Sequence, residues 1–97
     1  MVGLRLIVIY DISDNESRER VARRLKLMGL ARVQRSAFVG VGGVARAKDV
    51  ARAVAPLIDA STDSVIVFVV PGRSVREAFV LGTPMAPLEG VRPYATV

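Results

Sequence analysis

Two nearly continuous runs of β-branched and aliphatic residues, 4–10 (LRLIVIY) and 64–70 (SVIVFVV), constrain the fold more than any other feature. Runs of this length and composition are typical of central strands that are covered on at least one face. A Pro-Gly pair ends the second run. A third stretch, 32–40 (RVQRSAFVG), alternates less regularly and predicts a strand that is bent or broken near Ser36.

Two segments with helical spacing separate the predicted strands. Ser13 and Glu16 have the spacing of a capping box, which predicts that the first helix begins near residue 14. Gly29 can adopt the left-handed conformation that ends a helix. The second helix is predicted from Val44 to about residue 55, where Pro56 should end or kink it. The stretch 40–43 (GVGG) precedes the second helix. It is not followed by the Lys-Ser/Thr pair of a phosphate-binding loop and has no third glycine at dinucleotide-binding spacing, so we interpret it as a turn.

The order of these elements predicts an α+β fold, a ferredoxin-like βαββαβ sandwich with two helices on one face of an antiparallel sheet. The fourth strand would come either from division of 32–40 or from the tail. A chain of 97 residues is short enough for a single domain over 1–97, with a compact unit over about 1–72. The remainder, about 73–97, is predicted as a dimerisation strand at 76–82 (REAFVLG) and an irregular, proline-rich tail. That strand has few partners in its own chain and would make sense if it crossed to a neighbouring subunit.

Composition narrows the possible functions. The chain has neither His nor Cys, which excludes His-based general bases, Ser-His-Asp triads, thiolate metal sites and disulfides. The net charge of +5 is carried mostly by arginine and favours phosphate-rich partners, although it could also reflect nucleotide composition or a hot habitat. No segment approaches the roughly 20 apolar residues that span a bilayer. We therefore expect a soluble, cytoplasmic protein with no membrane partner.

An acid terminates the first apolar run. Asp11 stands at the carboxyl end of the strand, and Asp14 follows three residues later. One or two carboxylates with water molecules can hold Mg²⁺, and such a metal supports hydrolysis without His. Two Asp11 residues brought together across a dimer axis would make a stronger site than one. Asp14 is better explained as an acid that faces the dipole at the start of the helix.

The first helix carries one arginine on its apolar side. A helical wheel places four residues on the face that must be buried, namely Val21, Ala22, Leu25 and Met28. Arg18 falls within this apolar sector, so its charge must be paired or must extend to solvent. A structural ion pair with Asp11 and a functional role are both compatible with this position.

The outward-facing arginines of the helix have two interpretations. In the first, Arg20 and Arg23 only form i,i+4 ion pairs with Glu16 and Glu19. In the second, they belong to a basic surface that binds a phosphate backbone, together with arginines of the second strand.

The second strand supplies Arg32 and Arg35 to this predicted surface. Ser36 and Phe38 lie on the same face of the strand as Arg32. Phe38 could stack on a base, but a strand phenylalanine more often belongs to the core.

These features occur in an order that resembles one known family. VIYDIS on the first strand, a helix ending in LKLMGL, and RVQRSAFVG as the second strand are similar to the small CRISPR-associated protein family numbered two, the partner of the CRISPR spacer integrase. The resemblance is strongest over 4–40 and returns at VIVFVVP and REAFVLG. It implies a ferredoxin-like fold and a homodimer in which the C-terminal strand packs against the other subunit.

The resemblance also implies an activity. Members are metal-dependent endonucleases acting on RNA or double-stranded DNA, and the aspartate after their first strand, here Asp11, is the metal-linked acid. We therefore predict Asp11, Tyr10 and Arg18 as catalytic residues, with Mg²⁺ on Asp11. The predicted nucleic-acid-binding residues are Arg20, Arg32, Arg35, Ser36 and Phe38. Arg35 departs from the family, which often has Tyr there, and the glycine-valine turn after this strand is also atypical.

The leading hypothesis is thus a dimeric CRISPR-adaptation protein with magnesium-dependent endonuclease activity. Family members also form the central scaffold of the spacer-integration complex, a role that need not involve hydrolysis. A non-catalytic nucleic-acid-binding scaffold, in which Asp11 is structural, is therefore the first alternative. A ribonuclease toxin of related ferredoxin-like fold is the second, and a small-molecule regulatory domain is disfavoured by the charge.

Overall fold

The computed structural model describes residues 3–88 and the backbone of 93–95. The elements are β1 (Leu4–Asp11), α1 (Asn15–Leu27), β2 (Ala31–Gln34), β3 (Ala37–Val41), α2 (Val44–Val54), a 3-10 turn (Ala55–Leu57), β4 (Ser64–Pro71), α3 (Gly72–Arg76), β5 (Val80–Leu81) and β6 (Pro93–Ala95). Strands β1 to β4 form one antiparallel sheet in the order β2-β3-β1-β4, and the short strands β5 and β6 pair in parallel. The predicted ferredoxin-like α+β order is confirmed.

The fourth strand of the sheet comes from division of the stretch 32–40, which was one of the two predicted sources. The chain turns at Arg35 and Ser36, so β2 and β3 form a hairpin. The Tyr10 amide donates a hydrogen bond of 3.1 Å to the Ser36 carbonyl oxygen. This bond ties the hairpin turn to the end of β1, next to Asp11, the acidic residue of the predicted site.

The start of α1 differs by one residue from the predicted capping box. Asp14 is the N-cap, and its Oδ2 accepts a hydrogen bond of 2.8 Å from the Ser17 amide. The Ser13 amide and hydroxyl instead donate to Asp63 Oδ1 at 3.1 and 3.3 Å, so the predicted Ser13 cap is wrong. The helix-start role of Asp14 is confirmed, and Gly29 has the predicted left-handed conformation (φ 89°) after the last turn.

Replacing this cap should weaken the fold in a pH-dependent way. The amide and side chain of Ser17 lower the pKa of Asp14 below its ordinary value of 3.8. A group with a lowered folded pKa stabilises the fold above its unfolded pKa, and this stability is lost as pH falls through the folded pKa. Asp14→Ala is therefore expected to lower the melting temperature by about 5 °C at neutral pH, and by less at an acidic pH well below the ordinary pKa of 3.8.

Thermal unfolding followed by circular dichroism at both pH values measures this effect. Asp14→Asn is the matched control, because Asn keeps a capping oxygen but cannot titrate in this range. It should melt near the wild type at neutral pH. An equal loss in Asp14→Asn and Asp14→Ala would show that the cap does not depend on the side-chain acceptor.

The core lies between the sheet and the helices α1 and α2. Side chains alternate along β1, so Leu6, Val8 and Tyr10 face the helices and are buried. The fully buried residues from β3 and the two helices are Phe38, Val21, Ala22, Leu25, Val50 and Val54. The predicted buried face of α1 is therefore confirmed, with Met28 half-buried at its end.

We call the side of the sheet away from α1 and α2 the open face. Pairing of β1 with β4 sets Ile9 opposite Ile66. In the same register, Ile7 lies opposite Phe68. Asp11, the last residue of β1, shares this face by alternation and lies opposite Ser64. The β1–β4 part of the open face is thus largely apolar, with the Asp11 carboxylate at one end and Arg5, which alternation also places on this face, toward the other.

The segment 79–88 lies across the open face on its β2–β3 side. The Met85 amide donates a 2.8 Å hydrogen bond to the Val33 carbonyl oxygen. A cavity of about 520 Å³ separates this segment from side chains of β1, β2 and β3. The part of the open face formed by β1 and β4 remains exposed, with Ile66 47 % and Phe68 44 % accessible.

The predicted strand at 76–82 is mostly wrong. Only Val80–Leu81 is extended, and Gly72–Arg76 forms a short helix. Burial of Val75, 3 % exposed, stabilises this helical turn, which takes up the first residue of the predicted strand, Arg76. The prediction that the rest of the tail is irregular is wrong at Pro93–Ala95, because this segment pairs with β5. Pro93 is compatible with this pairing, since Pro is tolerated as the first residue of an edge strand. Packing of this region on a partner subunit stays a prediction.

No helix within the described ranges is both long and apolar enough to cross a membrane.

Candidate active site and nucleic-acid interface

The Asp11 carboxylate lies at the end of β1 on the open face. Its side chain is exposed. Within residues 3–88, no hydrogen bond or ion pair engages this carboxylate. Both oxygens therefore remain available to a ligand from outside this part of the chain.

Arg18 does not contact Asp11. Its Nη1 donates a 2.9 Å hydrogen bond to the Ile12 carbonyl oxygen, and its Nη2 donates to Asn15 Oδ1. The expected Arg18–Asp11 ion pair is not formed between these two described residues, because Asp11 faces the side of the sheet opposite to α1. Arg18 instead holds the loop that follows Asp11.

Tyr10 points into the core, away from Asp11. It is 6 % exposed, and its ring stacks with Phe38 at a centroid distance of 6.2 Å. Its Oη donates a 3.1 Å hydrogen bond to the Arg35 carbonyl oxygen. Burial raises the pKa of the Tyr10 phenol, so the group is a neutral donor near pH 7. The two neighbours predicted as catalytic therefore lie on opposite faces of β1.

Arg32 contacts three other groups within its own chain. Its Nε and Nη2 donate to the Arg35 carbonyl oxygen at 3.0 and 2.7 Å. Nη2 lies 3.8 Å from Glu19 Oε2, and the guanidinium lies 5.8 Å from the centroid of the Phe38 ring. The side chain is only 14 % exposed. Glu19 is thus paired with Arg32, and the predicted Glu19–Arg23 pair is not found among the described residues.

The outward-facing arginines of α1 form no ion pairs with other described side chains. Arg20 Nη2 contacts Ser17 Oγ at 3.4 Å, and no ion pair with Glu16 is present between these described side chains. Arg20, Arg23 and Arg24 are all exposed. The first interpretation, in which i,i+4 pairs absorb this charge, is therefore wrong for both predicted pairs.

Phe38 belongs to the core. It is fully buried, since its pairing with Val8 in the middle of the sheet directs its ring toward the helices. The base-stacking interpretation is wrong for the folded chain, and the core interpretation is confirmed. Ser36 is half-buried at the hairpin turn, whereas Arg35 is exposed there.

The exposed Arg35 borders a recess of about 330 Å³. The recess lies between the first turns of α1 and the β2–β3 hairpin and is lined by Arg18, Glu19, Arg32, Arg35 and Met85. Three guanidinium groups and one carboxylate give it a net positive charge, which suits phosphate oxygens.

Asp63 is a residue near the site that the sequence pattern did not single out. Its carboxylate accepts hydrogen bonds from Ser13 and, at 3.0 Å, from the Asp59 amide. These bonds tie the loop that follows Asp11 to the start of β4. The sequence signal is weak, because Asp63 is only one acid in the polar stretch DASTD before a strand.

A divalent metal ion bound at Asp11 would have few protein ligands. Among the described residues, no three His, Cys, Asp or Glu side chains are grouped as a metal site. Mg²⁺ keeps most of its water and takes one or two carboxylates. Asp11, whose carboxylate is unengaged within residues 3–88, fits as one such ligand.

Comparison with known proteins decides the family. The sequence profile described as CRISPR associated protein Cas2 matches residues 4–78. The chain belongs to the Cas2 family. A CRISPR-associated endoribonuclease Cas2 from Aeropyrum pernix is 43 % identical over 77 residues, which cover 79 % of this chain and 84 % of that protein. This assignment confirms the resemblance and leaves the toxin alternative without support.

Two further relatives extend the Cas2 comparison. The crystal structure of Streptococcus pyogenes Cas2 matches with a TM-score of 0.70 and 25 % identity, covering 80 % of this chain and 99 % of that one. A CRISPR-associated endonuclease Cas1/endonuclease Cas2 fusion from Thermoproteus tenax is 39 % identical over 70 residues. That match covers 72 % of this chain and 26 % of the fusion.

Proposed function

We propose that this Cas2-family protein is a homodimeric, metal-dependent nuclease that cleaves phosphodiester bonds in RNA or duplex DNA. Asp11 of each subunit would contribute one ligand to a shared divalent cation, expected to be Mg²⁺. The observation that carries the proposal is the position of Asp11 on the exposed, apolar part of the open face. The name of the Aeropyrum pernix relative, an endoribonuclease, supports the same class of activity.

The open face suits a second copy of the chain. Ile9 is 37 % exposed, and its neighbours Ile66 and Phe68 on β4 are more so. A short chain gains stability by burying such a surface against an identical one. In a two-fold contact each residue of the patch meets the symmetric patch. Covering these side chains would therefore bring both Asp11 carboxylates to one interface.

The residues would divide the chemistry as follows. A cation bound between the Asp11 carboxylates would neutralise charge on a phosphoryl oxygen and lower the pKa of a bound water. Arg18 holds the loop after Asp11 through the Ile12 carbonyl, which fixes the backbone beside the acid. The exposed guanidinium groups of Arg20 and Arg35 would attract the phosphate backbone.

The proposal is tested by incubating the protein with labelled single-stranded RNA and duplex DNA, with Mg²⁺ and with chelator. Cleavage with Mg²⁺ and none with chelator is expected. Cleavage that persists in chelator would contradict the metal. Binding without cleavage in either condition would contradict the nuclease and favour the second candidate below.

Dimerisation through the open face predicts the effect of a charge at its centre. Ile66→Glu places two carboxylates in a symmetric apolar contact, so the dimer dissociation constant is expected to rise by at least about tenfold. Sedimentation velocity over a concentration series measures this change. Leu27→Glu, at an 80 % exposed position on α1, is the matched control and should leave the dimer intact. A dimer that tolerates Ile66→Glu would place the interface elsewhere.

A non-catalytic scaffold is the second candidate. The side chains of Tyr10, Arg32 and Phe38 contact groups of their own chain and do not lie on the face that carries Asp11. These three predicted site residues therefore do not join Asp11 in an active site, which favours the scaffold. The Cas1/Cas2 fusion in Thermoproteus tenax supports a partnership with a Cas1-type integrase for either candidate. In a scaffold, Asp11→Asn would leave both nucleic-acid binding and co-purification with the integrase unchanged, and the wild type would cleave nothing.

A further inference from the structure

The main-chain carbonyl of Arg35 accepts more side-chain hydrogen bonds than any simple turn requires. Tyr10 Oη donates to it at 3.1 Å, Arg32 Nε at 3.0 Å and Arg32 Nη2 at 2.7 Å. A carbonyl oxygen has only two lone pairs, so three donors saturate it. We call these three groups, the Tyr10 phenol, the Arg32 guanidinium and the Arg35 carbonyl, the turn clamp.

Both donors of the turn clamp are themselves held in place. Tyr10 is almost fully buried and stacks with Phe38. Arg32 lies over the same ring and is paired with Glu19 at 3.8 Å. Side chains locked by packing and second contacts fix the groups that they hold with little residual freedom. The position of the hairpin turn is therefore set by the core.

The turn clamp presents one side chain to solvent. The Arg35 side chain is exposed at the edge of the positively charged recess. No hydrogen bond or ion pair from another described side chain engages its guanidinium group. Arg32 is in the opposite situation, since two of its donor nitrogens are committed to a carbonyl and one of them also approaches a carboxylate.

We propose that Tyr10 and Arg32 are positioning residues that act on nucleic acid only through Arg35. The clamp fixes the backbone of the turn so that the Arg35 guanidinium meets a phosphate at the recess. Tyr10 and Arg32 contact no substrate themselves. This inference rests on the nucleic-acid binding of the proposed function but does not require cleavage.

The salt dependence of binding separates the roles of the two arginines. On duplex DNA, the slope of log affinity against log salt changes by about 0.9 for each phosphate that the protein neutralises. Arg35→Ala should therefore lower the slope by about 0.9. Arg32→Gln should lower it by up to the same amount, since the turn is released. The double variant should lose no more than Arg35→Ala alone.

The experiment measures binding of a labelled DNA duplex by fluorescence anisotropy over a salt series, with the full-length chain. A double variant whose slope falls by a further ~0.9 would overturn the inference, because Arg32 would then bind a phosphate directly. Arg23→Gln combined with Arg35→Ala is the matched control. Arg23 is exposed on α1, so any contribution it makes should persist in full in the Arg35→Ala background.

Tyr10→Phe gives an independent test of the clamp through the same salt slope, and it can be used even if Arg32→Gln does not fold. It removes one clamp donor and changes no charge, so the variant does not remove a cation that neutralises a phosphate. The slope should fall in the wild-type background and stay constant in the Arg35→Ala background. A normal slope in Tyr10→Phe, with circular dichroism showing a folded chain, would contradict the clamp.

The outcomes for this inference and for the proposed function are distinguishable. A wild type with no salt-dependent affinity for nucleic acid would refute both. A wild type that binds but does not cleave would refute only the nuclease, and the slopes would still decide the role of the clamp. Additive slopes in a protein that cleaves would refute only the clamp.

Discussion

Asp11→Asn is expected to lower the rate of metal-dependent cleavage by at least about 10³-fold, since ligand loss removes several kcal/mol of transition-state stabilisation. The amide is neutral and binds hard cations more weakly than a carboxylate does. In a symmetric dimer the substitution changes both ligands at once. Affinity for nucleic acid should be unchanged or slightly higher, because a negative charge is removed. Single-turnover cleavage and anisotropy, measured on the same preparations, separate the two quantities.

Asp49→Asn is the matched control for this substitution. Asp49 is exposed on α2, which packs on the side of the sheet away from Asp11. The same chemical change there should leave cleavage at the wild-type rate. Wild-type cleavage by Asp11→Asn, or an equal loss in Asp49→Asn, would contradict the assigned role of Asp11.

Phe38→Ala is expected to lower the free energy of unfolding by about 3–5 kcal/mol. The ring is fully buried, stacks with Tyr10 and lies beneath the guanidinium of Arg32. Its removal leaves a cavity between β3 and the helices and also loosens both donors of the turn clamp. Urea denaturation monitored by circular dichroism measures the loss.

Leu27→Ala is the control for the loss of an apolar side chain, since Leu27 is 80 % exposed on α1. We expect a change of less than about 1 kcal/mol there. If Phe38 stacked on a base, Phe38→Ala would instead keep wild-type stability and lose affinity for single-stranded RNA. That result would contradict its place in the core.

The sheet could be predicted from sequence because its strands are long and strongly apolar. The runs at 4–10 and 64–70 fall within one residue of β1 and β4. The break near Ser36 was visible as irregular alternation, and it became the β2–β3 hairpin. The cap of α1 was displaced because Ser13 and Asp14 are both good N-caps. Ser13 donates its hydrogen bonds to the carboxylate of Asp63, which is distant in sequence, and Asp14 therefore caps the helix.

The tail was the least predictable part of the fold. Residues 76–82 have the composition of a strand, but burial of Val75 stabilises a helical turn that includes Arg76, and only Val80–Leu81 is extended. Such tertiary contacts override local preference and leave no local pattern. The position of 79–88 across the open face likewise depends on packing against Val33 and its neighbours.

The candidate site was predictable only in part. Alternation along β1 is enough to place Asp11 on the face opposite to Tyr10. The roles of Arg32 and Phe38 needed the register of β3 against β1, which the sequence does not specify. Arg18 was recognised as an unusual cation on an apolar helix face, but its partner is the Ile12 carbonyl and not the Asp11 carboxylate.

The shared use of Asp11 by two subunits is tested most directly by mixing wild type with Asp11→Asn. The two are co-refolded so that subunits exchange, and cleavage is measured at equal proportions with total protein held constant. If the site needs both acids, only wild-type homodimers cleave, and about a quarter of the activity remains. If each subunit acts alone, about half remains. A quarter is the predicted result, and a half would contradict a site shared across the dimer axis.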